Sequence, residues 1–267
     1  MLEQSLEIAD RRPLRPSRES ISPAPQRRPS LGLIGVGAFG EFCIAHLAGH
    51  FDVSIHDPRR DLGVLEKSQG VRVTDLATAA QKDIVLLAVA PRDLRDVARK
   101  IAPHLKIGSL VIDVCSIKTK PLAILAEELP AHAEIVGTHP LFGPRSGKDG
   151  IEGLTIAVCS SGSPRGRLVT RFLRKKLGLR VVPTTPERHD EEMAYVQGLT
   201  HLLSRIVLAM DVPAIEHTTA TFDHLMRMVG MVRDDSDEIF RAITEENPFA
   251  AEVKRRLREA AQAVTTF

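Results

Sequence analysis

Leu31-Gly32-Leu33-Ile34-Gly35-Val36-Gly37-Ala38-Phe39-Gly40 is the stretch whose reading decides the fold. Its first four residues are a short apolar run of the kind that forms a buried strand. The next six fit G-x-G-x-x-G and lead into a helix-like segment. Three glycines at that spacing carry little weight alone, but between a strand and a helix each meets a physical requirement. Gly35 permits a tight turn, Gly37 lets the backbone approach a pyrophosphate, and Gly40 lets the helix pack closely on the strand. The helix N-terminus then presents its free N–H groups to an anion. Gly35, Val36, Gly37, Ala38, Phe39 and Gly40 therefore form a candidate dinucleotide cradle.

The flanking sequence extends this reading. Asp57 stands 17 residues beyond Gly40, at the end of the next apolar run, where a carboxylate can accept hydrogen bonds from a ribose 2′-hydroxyl. A carboxylate there repels the additional phosphate of NADP, so NAD is the expected cofactor. Arg59 and Arg60 keep NADP as the alternative, because an adjacent guanidinium can accommodate a 2′-phosphate. Val89 and Ala90, at the end of the run over 84–89, complete the candidate cofactor-contacting set.

Strands are expected over 31–34, 53–56, 84–89, 110–114, 135–138, 154–159 and 180–182. The first five show no apolar–polar alternation, which indicates strands buried on both faces of a parallel sheet. With helices between them they describe an α/β, Rossmann-type doubly wound sheet. After about Pro186 the strands stop. Met193, Val196, Thr200, Leu203, Val207 and Met210 recur at spacings of three and four, as one stripe on a long helix. Further helices are expected over 214–231, 234–245 and 248–263. The organisation is a tail over 1–30, a dinucleotide-binding domain over 31–185, and an all-helical domain over 186–267. Residues 11–30 hold five prolines and six arginines with little to bury, so the tail is expected to be disordered.

Composition excludes several classes. A net charge of +2 is too small to point to nucleic acid or an acidic membrane, and no apolar run is long enough to span a bilayer. Cys43, Cys115 and Cys159 are scattered, share no metal-ligand spacing and are odd in number. That pattern is expected of reduced thiols in a cytoplasmic protein without a structural metal. The N-terminus has neither the apolar core of a signal peptide nor the acid-poor character of a transit peptide.

Ligands of open parallel sheets sit beyond the carboxyl ends of the strands. Ser116 and His139 fall there. Pro140 disfavours a helical backbone at His139 and should hold it in an extended segment just past its strand. Neutral imidazole, with an ordinary pKa of about 6.5, suits a general base at physiological pH.

Gly137-Thr138-His139-Pro140-Leu141-Phe142-Gly143-Pro144 closely resembles the histidine motif of the prephenate and arogenate dehydrogenases. Asp113-Val114-Cys115-Ser116-Ile117-Lys118, His189-Asp190 and Leu199-Thr200-His201 extend the resemblance, which runs from about residue 31 to the C-terminus. It implies oxidative decarboxylation on the route to tyrosine, with hydride passing to NAD and His139 taking the proton of the substrate's C4 hydroxyl. It implies that Ser116 bonds the same hydroxyl or orients His139, that His201 contacts substrate, and that the helical domain forms a homodimer. Asp235 matches a position that is acidic in arogenate-preferring relatives, where it would face an ammonium; a solvated helix start accounts for it equally well. Two departures stand out. Arg145 occupies a place often acidic in the family, and the arginine that binds a substrate carboxylate in some relatives falls at Met231. Arg145, Arg227 and Arg233 are the candidates to replace it. Two other readings remain: a hydroxyacid or imine reductase of similar layout, and a non-catalytic NAD-binding module. Neither explains the string from Gly137 to Pro144.

Overall fold

The computed structural model describes residues 28–159, 164–233 and 235–265. Most of the expected tail, up to residue 27, lies outside them. Its last residues belong to the folded body: the Asp52 N–H donates to the Pro29 carbonyl at 3.0 Å, and Ser30 begins the first strand.

The first two-thirds of the chain alternates strand and helix. In chain order the elements are β1 (Ser30–Ile34), α1 (Ala38–Leu47), β2 (Asp52–His56), α2 (Gly63–Gln69), β3 (Arg72–Val73), α3 (Leu76–Ala80), β4 (Ile84–Leu87), α4 (Pro91–Ile101), β5 (Leu110–Asp113), α5 (Thr119–Glu128), β6 (Glu134–Pro140), β7 (Thr155–Cys159), α6 (Pro164–Lys175) and β8 (Arg180–Pro183). Among the described residues the strands form one sheet in the order β3-β2-β1-β4-β5-β6-β7-β8. Each inner strand is covered on both faces, which is why the apolar runs lack alternation. Ile34, Val85, Leu87 and Val111 pack on one side with Leu94, Ala98, Ile101 and Leu125 of α4 and α5. Leu31, Leu33, Val53 and Ile55 pack on the other with Ile44 of α1 and Leu65 of α2. The order reverses between β1 and β4, the switch point where doubly wound sheets bind ligands.

Two features depart from the expected set of strands. β3 is a two-residue strand with both residues exposed, so it carries no apolar signal. β7 runs antiparallel to β6, pairing His139 with Ala157 and Pro140 with Ile156. The connection over 141–154 contains no helix, and a parallel pair would need a helical crossover there.

The remainder is helical. Pro186 opens α7 (Pro186–Met193) at a position that needs no N–H, and the Thr185 side chain caps it by accepting from the Arg188 N–H. A π-helical turn over Ala194–Leu199 leads into α8 (Thr200–Ala209). The expected single apolar stripe is thereby broken: Met193 is buried, while Val196 is 59% and Met210 68% exposed. The helix expected over 214–231 starts later, as α9 (Ala220–Val232), because the Thr219 hydroxyl caps the Phe222 N–H at 3.2 Å. Next come α10 (Asp237–Arg241), a second π-helical turn over Ala242–Glu246, and α11 (Ala250–Thr265), which packs on both π-helical turns. No helix among the described residues is long and apolar enough to cross a membrane.

Candidate active site

Register places the site. Ile34, Leu87 and Asp113, the last residues of β1, β4 and β5, lie side by side with Gly137 of β6. The residues that follow them emerge along one edge.

At β1 that edge is the glycine loop. Gly35 has φ +92°, and a Cβ there would meet the Ala88 carbonyl oxygen at 2.5 Å, so both conformation and space require glycine. A Cβ on Gly40 would sit 2.1 Å from the Gly35 oxygen, which shows how tightly α1 approaches the loop. At Gly37 a Cβ would meet nothing within 4 Å. The loop backbone therefore faces open space, and the first turn of α1 has no side-chain cap. These residues fit a pyrophosphate held by N–H groups of a helix N-terminus. Val89 lies against the loop, its side chain 2.9 Å from the Gly35 Cβ position, and Ala90 is the N-cap of α4.

Asp57 follows β2 and is bound to the cradle itself. Its Oδ2 accepts the Val36 N–H and its Oδ1 the Arg59 N–H, both at 2.8 Å. The Arg59 guanidinium pairs with Asp93 at 3.0 Å, and Arg60 bonds the Val36 carbonyl and Glu41. Both guanidiniums that would favour a 2′-phosphate are thus already paired with carboxylates.

His139 sits within β6 rather than just past it, because antiparallel pairing with β7 prolongs the strand through Pro140. It is 4% exposed. Its Nδ1 lies 2.9 Å from His189 Nε2, and His189 Nδ1 lies 2.8 Å from Asp190 Oδ1. Burial, then the neighbouring His189 and Lys118, hold its pKa well below the ordinary 6.5. Below it, Lys118 and Asp113 form a fully buried ion pair, and the Lys118 ammonium also donates to the Thr138 carbonyl at 2.7 Å. Asp190 caps α5 from a distant part of the chain: its two oxygens accept the Lys118 and Thr119 N–H groups at 2.7 and 2.8 Å. Burial pushes its carboxyl pKa up, but the bonds from His189, Thr119 and Lys118 outweigh this and leave it below the ordinary carboxylate value.

The other candidates divide. Ser116 is half-buried after β5 and makes no hydrogen bond to His139 among the described residues. His201 is buried on α8, where Nδ1 donates to the Gln197 carbonyl at 2.8 Å and Nε2 lies 3.1 Å from Asp235 Oδ2. Arg145 reaches across to the Gly230 and Met231 carbonyls at 3.3 and 3.4 Å, tying the β6–β7 connection to α9. Met231 is exposed. Gln197 was not among the candidates: its Nε2 stands 3.4 Å from His139 Nε2, and its Oε1 is buried without a partner among the described residues. It sits in the π-helical turn, a distortion frequent at functional sites but without a sequence signature. No group of three potential metal ligands occurs among the described residues.

A family model described as "Prephenate dehydrogenase, nucleotide-binding domain" matches residues 54–154, a stretch holding Asp57, Ser116 and His139. Arogenate dehydrogenase 2, chloroplastic, of Arabidopsis thaliana is 30% identical over 244 residues, covering 88% of this chain and 68% of that protein. A probable arogenate/prephenate dehydrogenase of Methanocaldococcus jannaschii is 34% identical over 141 residues, covering 51% of this chain and 31% of that protein. Among solved structures, prephenate dehydrogenase from A. aeolicus, in complex with hydroxyphenyl propionate and NAD+, superposes with a TM-score of 0.72 at 18% identity, over 91% of this chain and 90% of that one. Synechocystis arogenate dehydrogenase gives 0.68 at 18%, over 88% and 91%. At such identities the structural likeness speaks for the fold.

Proposed function

Because this chain belongs to the prephenate and arogenate dehydrogenase family, we propose that it oxidatively decarboxylates prephenate to 4-hydroxyphenylpyruvate, or arogenate to tyrosine. The observation that carries this is a buried, low-pKa histidine, His139, at the same sheet edge as a glycine loop shaped for a dinucleotide. A bound nicotinamide would supply the acceptor for the C4 hydride. Residues 31–185 would hold it and 186–267 would supply the substrate-facing wall.

His139 takes the C4 hydroxyl proton as that hydride leaves. C4 gains carbonyl character, the ring carboxylate departs as carbon dioxide, and the ring becomes aromatic. A base held well below 6.5 is already unprotonated at neutral pH, so no prior deprotonation is needed. Ser116 stands at the same edge to bond the hydroxyl or the nicotinamide. His201 and Asp235 supply a polar wall in which the carboxylate would face the arogenate ammonium, and Asp57 supports NAD over NADP. Arg145 is the candidate for a substrate carboxylate, reached by leaving the α9 carbonyls.

Exposed Val196, Ile206, Met210 and Met231 support a homodimer through the helical segment. Free thiols at Cys43, Cys115 and Cys159 support a cytoplasmic setting. The hydroxyacid or imine reductase and the silent NAD-binding module give way to the family assignment.

The test is a side-by-side assay of prephenate and arogenate, each with NAD and NADP. Turnover of at least one, lost by about 10²-fold or more in His139→Asn, is expected. No turnover of either substrate, or a fully active His139→Asn enzyme, refutes the reading.

A further inference from the structure

Two buried polar residues behind His139 have no role in the chemistry above. We propose that His189 and Asp190 form a positioning relay that holds His139 in its Nδ1–H tautomer and leaves Nε2 as the proton acceptor. The inference rests on the reading of His139 as the base and adds which nitrogen works and what selects it.

The assignment follows from donors and acceptors in sequence. Asp190 is an acceptor only, since it already takes N–H groups from Lys118 and Thr119 and its carboxyl pKa is held low. His189 Nδ1, 2.8 Å away, must donate to it. In a neutral imidazole the other nitrogen then carries a lone pair. His139 Nδ1, 2.9 Å from that lone pair, must donate in turn. His139 Nε2 is therefore the unprotonated nitrogen. The Gln197 amide nitrogen, a donor only, stands 3.4 Å from it and agrees with a lone pair there.

The relay is built to stay in place. Asp190 is fully buried, tied by its carboxylate to the start of α5 and by its carbonyl to Asn247 Nδ2 at 2.8 Å. His189 is 2% exposed and meets the His139 ring edge-on, with centroids 5.0 Å apart. The charged groups around the pair are Asp190 on α7 and the Asp113–Lys118 pair between β5 and α5. Were His189 Nε2 a donor instead, the His139 proton would sit on Nε2 and the base would be lost. The other nitrogen of a catalytic histidine commonly sets its tautomer in this way.

Nitrogen-15 imidazole spectra of the full chain with NAD, at mildly alkaline pH, read the tautomer without turnover; the His139 signals are assigned by their loss in His139→Asn. The wild-type protein should show a protonated Nδ1 and a free Nε2 at His139. His189→Met, close in size but only a weak acceptor, should shift His139 toward the Nε2–H form and lower kcat by about 10²-fold, with the NAD Kd unchanged. His189→Gln, whose carbonyl oxygen can accept the Nδ1–H, should recover most of that loss. A wild-type His139 protonated on Nε2 overturns the relay, as does a His189→Met enzyme with unaltered kcat and tautomer. Equal losses in the Gln and Met variants overturn it too. Failure of the dehydrogenase reading shows separately, as absence of turnover with the tautomer still measurable.

Discussion

Replacing Lys118 by Met should cost this protein about 3 kcal/mol, near the low end of the range for breaking a buried ion pair. Lys118 and Asp113 have fully buried side chains, so the variant strands a carboxylate that water cannot reach. Loss of one partner of such a pair costs about 3–5 kcal/mol. Two details set the value within that range. Methionine keeps most of the aliphatic packing, and Asp113 retains the Cys115 N–H at 2.8 Å, so the orphaned charge is not wholly bare. Against this, the Thr138 carbonyl loses the ammonium that met it at 2.7 Å. For a chain of this size the loss corresponds to a fall in Tm of about 6–12 °C. Urea unfolding followed by ellipticity, at fixed protein concentration, should show a lower midpoint with an unchanged slope. The double variant Asp113→Leu with Lys118→Met should be at least about 1 kcal/mol more stable than the single one, since neither charge is then left buried. A single variant within about 1 kcal/mol of wild type would refute the reasoning.

Other consequences are equally direct. The depressed pKa of His139 means the unfolded chain takes up that proton first, so its contribution to stability is complete above about 6.5 and is lost as pH falls below it. Urea midpoints across that range should fall less steeply in His139→Asn than in wild type; identical slopes would exclude the linkage. Gly37→Ala should fold with a change under about 1 kcal/mol yet weaken NAD binding about tenfold, because its Cβ enters the open space of the cradle. Gly35→Ala, strained at φ +92° and driven against Ala88, should lose more than about 1 kcal/mol of stability as well; equal stabilities of the two variants by thermal melting would contradict this. Asp57→Ala should reduce the NAD preference over NADP, measured as the ratio of kcat/KM values; an unchanged ratio would remove Asp57 from cofactor choice.

Much of the nucleotide-binding half was legible because its signals are local. A glycine that needs positive φ, a strand buried on both faces and a proline at the start of α7 each state their requirement within a few residues. The cradle from Gly35 to Gly40 and the strand-end placement of His139 could be read this way. The exposed two-residue β3 could not, since nothing apolar marks it. The π-helical turn that carries Gln197 was hidden for a related reason: no local signal separates a π-helical turn from an α-helical one, and packing against α11 accompanies the distortion.

By itself, then, the chain's order of residues determined an α/β sheet with a dinucleotide loop, and a histidine followed by proline at a strand end. Those depend on backbone preferences and on the burial period, which act over short spans. Tertiary structure alone decided what each polar group faces. His139 meets His189 across 50 residues, Asp190 caps a helix about 70 residues before it, and Lys118 holds the carbonyl of Thr138. A lone buried donor or acceptor is costly wherever it lies, but sequence does not state which distant group relieves it. The order of strands and the docking of α7 on α5 make that choice, and with it the nitrogen of His139 that is left free.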